Sequence, residues 1–152
     1  MNADVTIHGA GIFGLSIAWA CVRRGARVRL IDPGGVAAGA SGGILGALAP
    51  HTPENWNEKK AFQLTSLLMA EEFWCEVRDA GGGDAGYGRV GRLQPVPDQA
   101  ALDLALRREA SARDLWQGRA EWRVIDAASA PGWGGAVPLP AATGKLIHDT
   151  LS

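Results

Sequence analysis

The hydrophobic pattern changes period twice within the first third of the chain. Asp4-Val5-Thr6-Ile7-His8 is a short candidate strand that breaks into Gly9-Ala10-Gly11. Ile12 to Arg24 then reads as a helix, with the small residues Ser16, Ala18 and Ala20 along it and Gly25 as its stop. Arg27 to Asp32 alternates charged and apolar positions before Leu30-Ile31, which suits a second strand. Together these predict a β-α-β unit of ordinary length.

Beyond it the pattern is looser. Pro33 to Pro50 is a Gly/Ala-rich loop without charge. Thr52-Pro53 has the signature of a helix start, with Thr52 as cap and Pro53 at the first helical position. The helix is expected to run through Lys59 to Ala80, with Phe62, Met69, Phe73 and Val77 as its core stripe, and to end at Gly81-Gly82-Gly83. Tyr87 to Val96 reads as one or two strands around Gly91. Pro97 to Gln117 reads as a helix ending at Gly118, and Glu121 to Asp126 as a strand. Ala127 to Ser152 is rich in Pro and Gly and is expected to be weakly structured. No repeat recurs at a 20–50-residue period.

Composition narrows the class. A length of 152 residues, a hydrophobic fraction of 47% and a charged fraction of 20% describe an ordinary globular domain. The formal net charge of -1 gives no electrostatic footprint for nucleic acid or an anionic membrane, so neither partner is expected. The apolar run Ile12 to Val22 is too short to span a bilayer, and its charges, Arg23 and Arg24, follow it rather than precede it as in a signal peptide. Cys21 and Cys75 lack CxxC partners and read as buried thiols in a reducing compartment. A cytoplasmic protein without a metal site is the expectation.

Gly9-Ala10-Gly11-Ile12-Phe13-Gly14 is a GxGxxG. Such a match is weak alone in a chain with 21 glycines. Here it follows a predicted strand and opens a predicted helix, and Asp32 falls about 20 positions later at the end of the second strand. Each part has a physical task in binding a dinucleotide. Gly9 allows the tight turn, Gly11 lets a pyrophosphate approach the backbone, and Gly14 lets the helix pack against the strand. The helix N-terminus offers amides and a positive dipole end to the phosphates. The Asp32 carboxylate suits the adenosine ribose hydroxyls and disfavours a 2′-phosphate, which argues against NADP.

The segment Ala40-Ser41-Gly42-Gly43-Ile44-Leu45-Gly46-Ala47-Leu48-Ala49-Pro50 decides between cofactors. It resembles the ASG-x-x-x-G-x-L-x-P segment of the glycine oxidase and D-amino acid oxidase family of flavoproteins. The resemblance implies FAD as cofactor and oxidation of a small amine or amino acid, with a hydride passing from the α-carbon to the flavin. It implies that Ala40, Ser41 and Gly42 lie near the pyrophosphate and that the backbone around Gly46, Ala47 and Leu48 approaches the isoalloxazine ring. With Gly9, Gly11, Ile12, Phe13, Gly14 and Asp32 these make up the expected cofactor site. His51, at the end of the loop, is a weak candidate for a catalytic group.

The expected fold is α/β: a Rossmann-type FAD-binding βαβ unit with its glycine loop and helix over residues 1–80, then the start of an antiparallel-sheet substrate domain over 81–152. Members of the family are more than twice this long. Two parallel strands also leave an open edge. The chain is therefore expected to be an incomplete fragment or one piece of a split protein, inactive alone, and to need a second chain or a missing C-terminal half. Two alternatives remain: half of an FAD-dependent tRNA-modifying enzyme, and a non-catalytic dinucleotide-binding fragment.

Other features read as structural. His8 is a tolerated strand-end residue. Gly144-Lys145 fails as a P-loop, because Leu139 and Leu146 stand where Gly and Ser or Thr are required. Trp74, Trp116, Trp122 and Trp133 are spread over different elements and suit core packing or an interface. Arg107, Arg108 and Arg113 lie among Glu109 and Asp114 as a solvated mixed-charge face.

Overall fold

In the computed structural model, which describes residues 2–81, 83–130 and 143–152, the chain is mixed α/β with a parallel strand pair and an antiparallel sheet. It divides into two compact units, Met1–Ala47 and Leu48–Ser152.

The first unit is the β-α-β motif and its loop. Strand β1 (Val5–His8) pairs in parallel with β2 (Val28–Ile31), Val5 opposite Val28 and His8 opposite Ile31. Helix α1 (Ile12–Val22) crosses between them. Period-2 alternation turns Val5, Ile7, Val28 and Leu30 inward and leaves Thr6, His8, Arg29 and Ile31 exposed. A short 3-10 turn, Ala40–Gly42, interrupts the loop that follows.

The second unit begins at Leu48. Helix α2 (Glu58–Gly81) starts later than the Thr52-Pro53 signature predicts. The cap is Asn57, whose Oδ1 accepts the Lys60 amide at 3.1 Å. Pro53 is fully buried, and the Glu54 amide folds back onto the Thr52 carbonyl at 2.8 Å, so residues 52–54 turn instead of entering the helix. The buried stripe of α2 is Leu64, Leu67 and Ala70. Half of the predicted stripe turns away from the core: Phe62 is 75% and Met69 53% exposed, while Phe73 and Val77 are half-buried. Phe62 and Met69 each stand two residues from a buried leucine, which at about 100° per residue places them on the far side of the helix.

Strand β3 (Arg92–Pro95) is a single strand. Helix α3 (Gln99–Trp116) is capped by Asp98, whose carboxylate accepts the Ala101 amide at 2.8 Å, and it ends where Gln117 takes a left-handed conformation. Strand β4 (Trp122–Asp126) follows. The sequence reading misses β5 (Lys145–Asp149), which lies in the middle of the antiparallel sheet, ordered β3-β5-β4. Being central it is buried on both faces at Leu146, Ile147 and Asp149, and so it lacks the alternation that marks a half-exposed strand.

Ala105, Ala112 and Trp116 of α3 close over this sheet, and Trp116 meets Trp122 edge to face with ring centroids 6.3 Å apart. Trp133 and Gly82 lie outside the described residues. Arg108 does not belong to a solvated face. It bonds Glu54 Oε1 at 2.5 Å and stands over the Trp122 ring, 5.9 Å from its centroid. Its guanidinium holds the Glu54 carboxyl below the usual range. Cys21 and Cys75 are free and only partly buried. Among the described residues no helix is long and apolar enough to cross a membrane.

Asp149 is the one charged group buried among the described residues, and the sheet is built to hold it. Its Oδ2 accepts Arg92 Nε at 3.1 Å from the facing strand. Its Oδ1 accepts the Ser152 amide at 3.0 Å and the Ser152 hydroxyl at 2.7 Å. Asp149→Ala removes these charge-assisted bonds and leaves Arg92 unpaired. It is expected to destabilise the second unit by about 2–3 kcal/mol, read as a lower denaturant midpoint, whereas Asp126→Ala on the exposed end of β4 changes the midpoint little.

Candidate dinucleotide-binding site

The site is assembled where β1 gives way to α1. The Gly9 amide extends the parallel ladder by donating to the Ile31 carbonyl at 2.8 Å. The backbone then turns through Gly9 at φ +103°, a conformation open to glycine and closed to residues with a Cβ. Ala10 follows, 2% exposed, and both faces of its peptide environment are tied down. Its amide donates to Asp32 Oδ2 at 2.7 Å, and its carbonyl accepts the Ala37 amide at 3.0 Å. Gly14 sits one helical turn on, where any Cβ would collide with the Gly9 carbonyl. The close approach of helix to strand therefore depends on that glycine.

Asp32 ends β2 and faces the turn. Besides the Ala10 amide it accepts the Gly34 amide on Oδ1 at 2.8 Å, closing an Asx turn at the start of the glycine loop. These two backbone donors, Ala10 first, hold its carboxyl below the usual carboxylate range. Each oxygen has a lone pair beyond those used. The side chain is only partly buried, so hydroxyl donors can reach it.

The loop returns to the helix start. Ser41, in the 3-10 turn with Ala40 and Gly42, accepts the Ile12 amide on its hydroxyl at 2.9 Å. The hydroxyl also lies 3.0 Å from where a Cβ on Gly11 would stand. The amides of Phe13 and Gly14 belong to the first helical turn and have no intrahelical acceptor. The Phe13 ring is 85% exposed. The structure thus brings Gly9, Gly11, Ile12, Phe13, Gly14, Asp32, Ala40, Ser41 and Gly42 into one neighbourhood of the first unit. The donor set is a cradle for an oxyanion beside a fixed carboxylate, and its residues fit the diphosphate and ribose of a dinucleotide.

Gly46 and Ala47 close the first unit, and Leu48 opens the second. All three are exposed and outside regular structure. His51 belongs to the second unit, where Gln63 Oε1 accepts its amide at 2.7 Å. Two contributors escape sequence reasoning. Gly34 and Ala37 hold Asp32 and Ala10 through backbone groups, and only the turn-forming run Asp32-Pro33-Gly34-Gly35 hints at the first of them.

Comparison with known proteins gives the family. The model of a family described as FAD dependent oxidoreductase matches residues 4–148. The chain belongs to that family. Among curated relatives, a putative thiamine biosynthesis oxidoreductase ThiO of Rhizobium etli is 39% identical over 74 residues, 46% of this chain and 21% of the relative. A tRNA 5-methylaminomethyl-2-thiouridine biosynthesis bifunctional protein MnmC of Psychrobacter is 33% identical over 76 residues, 50% of this chain and 10% of the relative. The crystal structure of glycine oxidase from Geobacillus kaustophilus superposes with a TM-score of 0.74 at 20% identity, covering 97% of this chain and 40% of that one. L-amino acid deaminase from Proteus myxofaciens gives 0.70 at 23% identity, covering 98% and 32%. These two share the fold, and the chain spans less than half the length of each of these four proteins.

The Asp32 contacts set a pH dependence. A carboxyl lowered in the folded state contributes stability that is complete above its unfolded value and is lost as pH falls through the folded one. The Asp32 carboxyl carbon, followed by NMR, is expected to titrate below an exposed aspartate, and the Ala10 and Gly34 amide resonances to move with the same midpoint. An Asp32 midpoint at or above the ordinary aspartate value would contradict the arrangement.

Proposed function

We propose that residues 1–80 hold the ADP half of FAD and that residues 81–152 begin a substrate domain, in a protein that oxidises a small amine or amino acid. The observation that carries this reading is the turn itself. A glycine cradle, first-turn amides and a carboxylate fixed one strand away form one neighbourhood. In this reading the Phe13 and Gly14 amides donate to the diphosphate, Asp32 accepts the ribose hydroxyls, and Gly11 leaves room for the phosphate. Ser41 accepts from Ile12 and turns its own proton toward a phosphate oxygen. The backbone of Gly46, Ala47 and Leu48 runs along the flavin ring. FAD, when bound, supplies the hydride acceptor; the protein supplies position and electrostatics.

Support for the substrate class comes from the names of the structural neighbours, which refer to glycine oxidation and amino acid deamination. A second reading has a specific match behind it: the MnmC likeness favours an FAD-dependent half of a tRNA-modifying enzyme. The net charge of -1 weighs against that, since the nucleic-acid surface would have to lie elsewhere. Exposed apolar side chains support a further polypeptide, either more of the same chain or a second one. Phe13, Ile17, Ile44 and Leu45 stand on the first unit at 53% exposure or more. The 152 residues alone are expected to bind FAD weakly and to turn over no substrate.

Gly11→Val tests the reading. It is expected to abolish binding of both FAD and ADP, measured by fluorescence titration, while circular dichroism stays that of the parent. Asp32→Ala is expected to weaken both ligands by about tenfold, the ordinary loss of one or two hydrogen bonds. FAD binding by Gly11→Val at the parent affinity overturns the assignment. Bleaching of the bound flavin by an amino acid, in protein completed by its remaining polypeptide, separates an oxidase from a non-catalytic binding module.

A further inference from the structure

Ala37 is held harder than its surroundings in the glycine loop. Between Pro33 and Ala47 it is the only residue that is not exposed. Its φ is +57°, a left-handed conformation that alanine rarely adopts. Such a backbone persists only where its neighbours hold it. Here the amide of Ala37 donates to the Ala10 carbonyl at 3.0 Å, and Ala10 is itself bonded to Asp32. The carbonyl of Ala37 lies against Gly42: a Cβ on residue 42 would stand 2.3 Å from its oxygen. Atoms at that distance overlap, and a methyl group must retreat by about 1 Å to reach ordinary contact.

Gly42 closes the 3-10 turn that carries Ser41. Its amide donates to the Gly39 carbonyl at 3.0 Å, and the Gly43 amide donates to Ala40 at 3.2 Å. A turn this short, closed by its own bonds, shifts as one piece. The Ser41 hydroxyl sits in its middle, 2.9 Å from the Ile12 amide and 3.0 Å from the point where a Cβ on Gly11 would stand. Moving the turn by about 1 Å takes that hydroxyl out of hydrogen-bond reach of Ile12. Asp32 is anchored separately. Its bonds run to Ala10 and Gly34, and neither passes through the 3-10 turn.

We infer that Gly42 is a positioning residue for the diphosphate. Its bare Cα lets the turn seat on the Ala37 carbonyl, and that seat puts the Ser41 hydroxyl at the start of α1. This rests on the FAD reading above, and it gives Gly42 a task other than contact with the cofactor. It also separates the two ends of the site. A ligand with phosphates calls on Ser41 and therefore on Gly42. Adenosine offers its ribose and no phosphate, so it calls on Asp32 and its affinity is independent of Gly42.

The test compares ADP and adenosine affinity, by NMR titration of the 152-residue chain, with hydrogen exchange of the Ile12 amide. Gly42→Ala is expected to weaken ADP about tenfold, the ordinary loss of a hydrogen bond to a charged group, and to leave adenosine within about twofold. The Ile12 amide is expected to exchange several-fold faster. Ser41→Ala adds no bulk and is expected to give the same difference between the two ligands; it carries the test should Gly42→Ala fail to fold. Once Ser41 is removed, adding Gly42→Ala is expected to weaken ADP by no more than about a further twofold, because both act through one contact. Unchanged ADP affinity, equal loss of ADP and adenosine, or losses that multiply in the double variant overturn the inference. A parent chain that binds neither ligand overturns the FAD reading instead, and the Ile12 amide of Gly42→Ala still decides whether Gly42 seats Ser41.

Discussion

The bond from the Ala10 amide to the Asp32 carboxylate organises the first unit. It joins the turn after β1 to the end of β2 at 2.7 Å. The second oxygen of the same carboxylate takes the Gly34 amide, so three chain segments meet on one side chain. The geometry leaves little freedom elsewhere. With Ala10 pinned, the chain must pass through Gly9 with positive φ, and α1 must begin close against β1, where Gly14 cannot carry a Cβ. The positive end of the helix then points at the space beside Asp32. A carboxylate so placed is anchored by neutral amides, not by a cation, and so it keeps its negative charge and spare lone pairs for donors from outside. The structural demands on Asp32 leave lone pairs of the same group unused.

This part of the molecule is legible in the sequence because its constraints are local. Strand, glycines, helix and acid follow one another within about 30 residues, with Gly9 answering a demand for positive φ and Gly14 a steric demand made by Gly9 itself. The second unit is less legible because its decisive partners are remote. Strand β5 carries a buried aspartate, which no rule of strand composition favours, and its burial is tolerated because Arg92 stands opposite from 57 positions away and Ser152 donates twice to its other oxygen. The α2 helix is apolar on two faces, and period alone cannot say which face packs inward. Leu64 and Leu67 are buried under α3 and the sheet, while the larger Phe62 and Met69 face outward. The Thr52-Pro53 signature loses to Asn57 for a similar reason. Pro53 is drawn into the interior and Lys60 binds the Thr52 carbonyl, so the cap moves to the first residue free to serve. Gln63 gives no signal at all in sequence. A glutamine on a helix is ordinary, and only the structure shows it bonded to the two backbone groups on either side of a buried proline.

The two ends of the glycine loop are held by different chemistry. At the upstream end a hydroxyl accepts from a helix amide that has no partner within the helix, and that contact is partly exposed to solvent. At the downstream end the Gln63 side-chain amide satisfies backbone groups beside a buried residue. Between them residues 44–48 expose apolar side chains and unbonded backbone.

The same facts bound what the β1-α1-β2 turn can decide. Relatives whose names denote thiamine biosynthesis and tRNA modification each match about half of the chain at 33–39% identity. Proteins named for glycine oxidation and amino acid deamination share its fold over nearly all its length. The named roles differ, and what the matches leave in common for this chain is the FAD dependent oxidoreductase family. Selection among substrates needs groups that distinguish one side chain or charge from another. At the β1-α1-β2 turn itself the groups on offer are backbone amides, glycines and one carboxylate already bonded to backbone, and none of these distinguishes one side chain or charge from another. Any group able to make that distinction lies outside the turn.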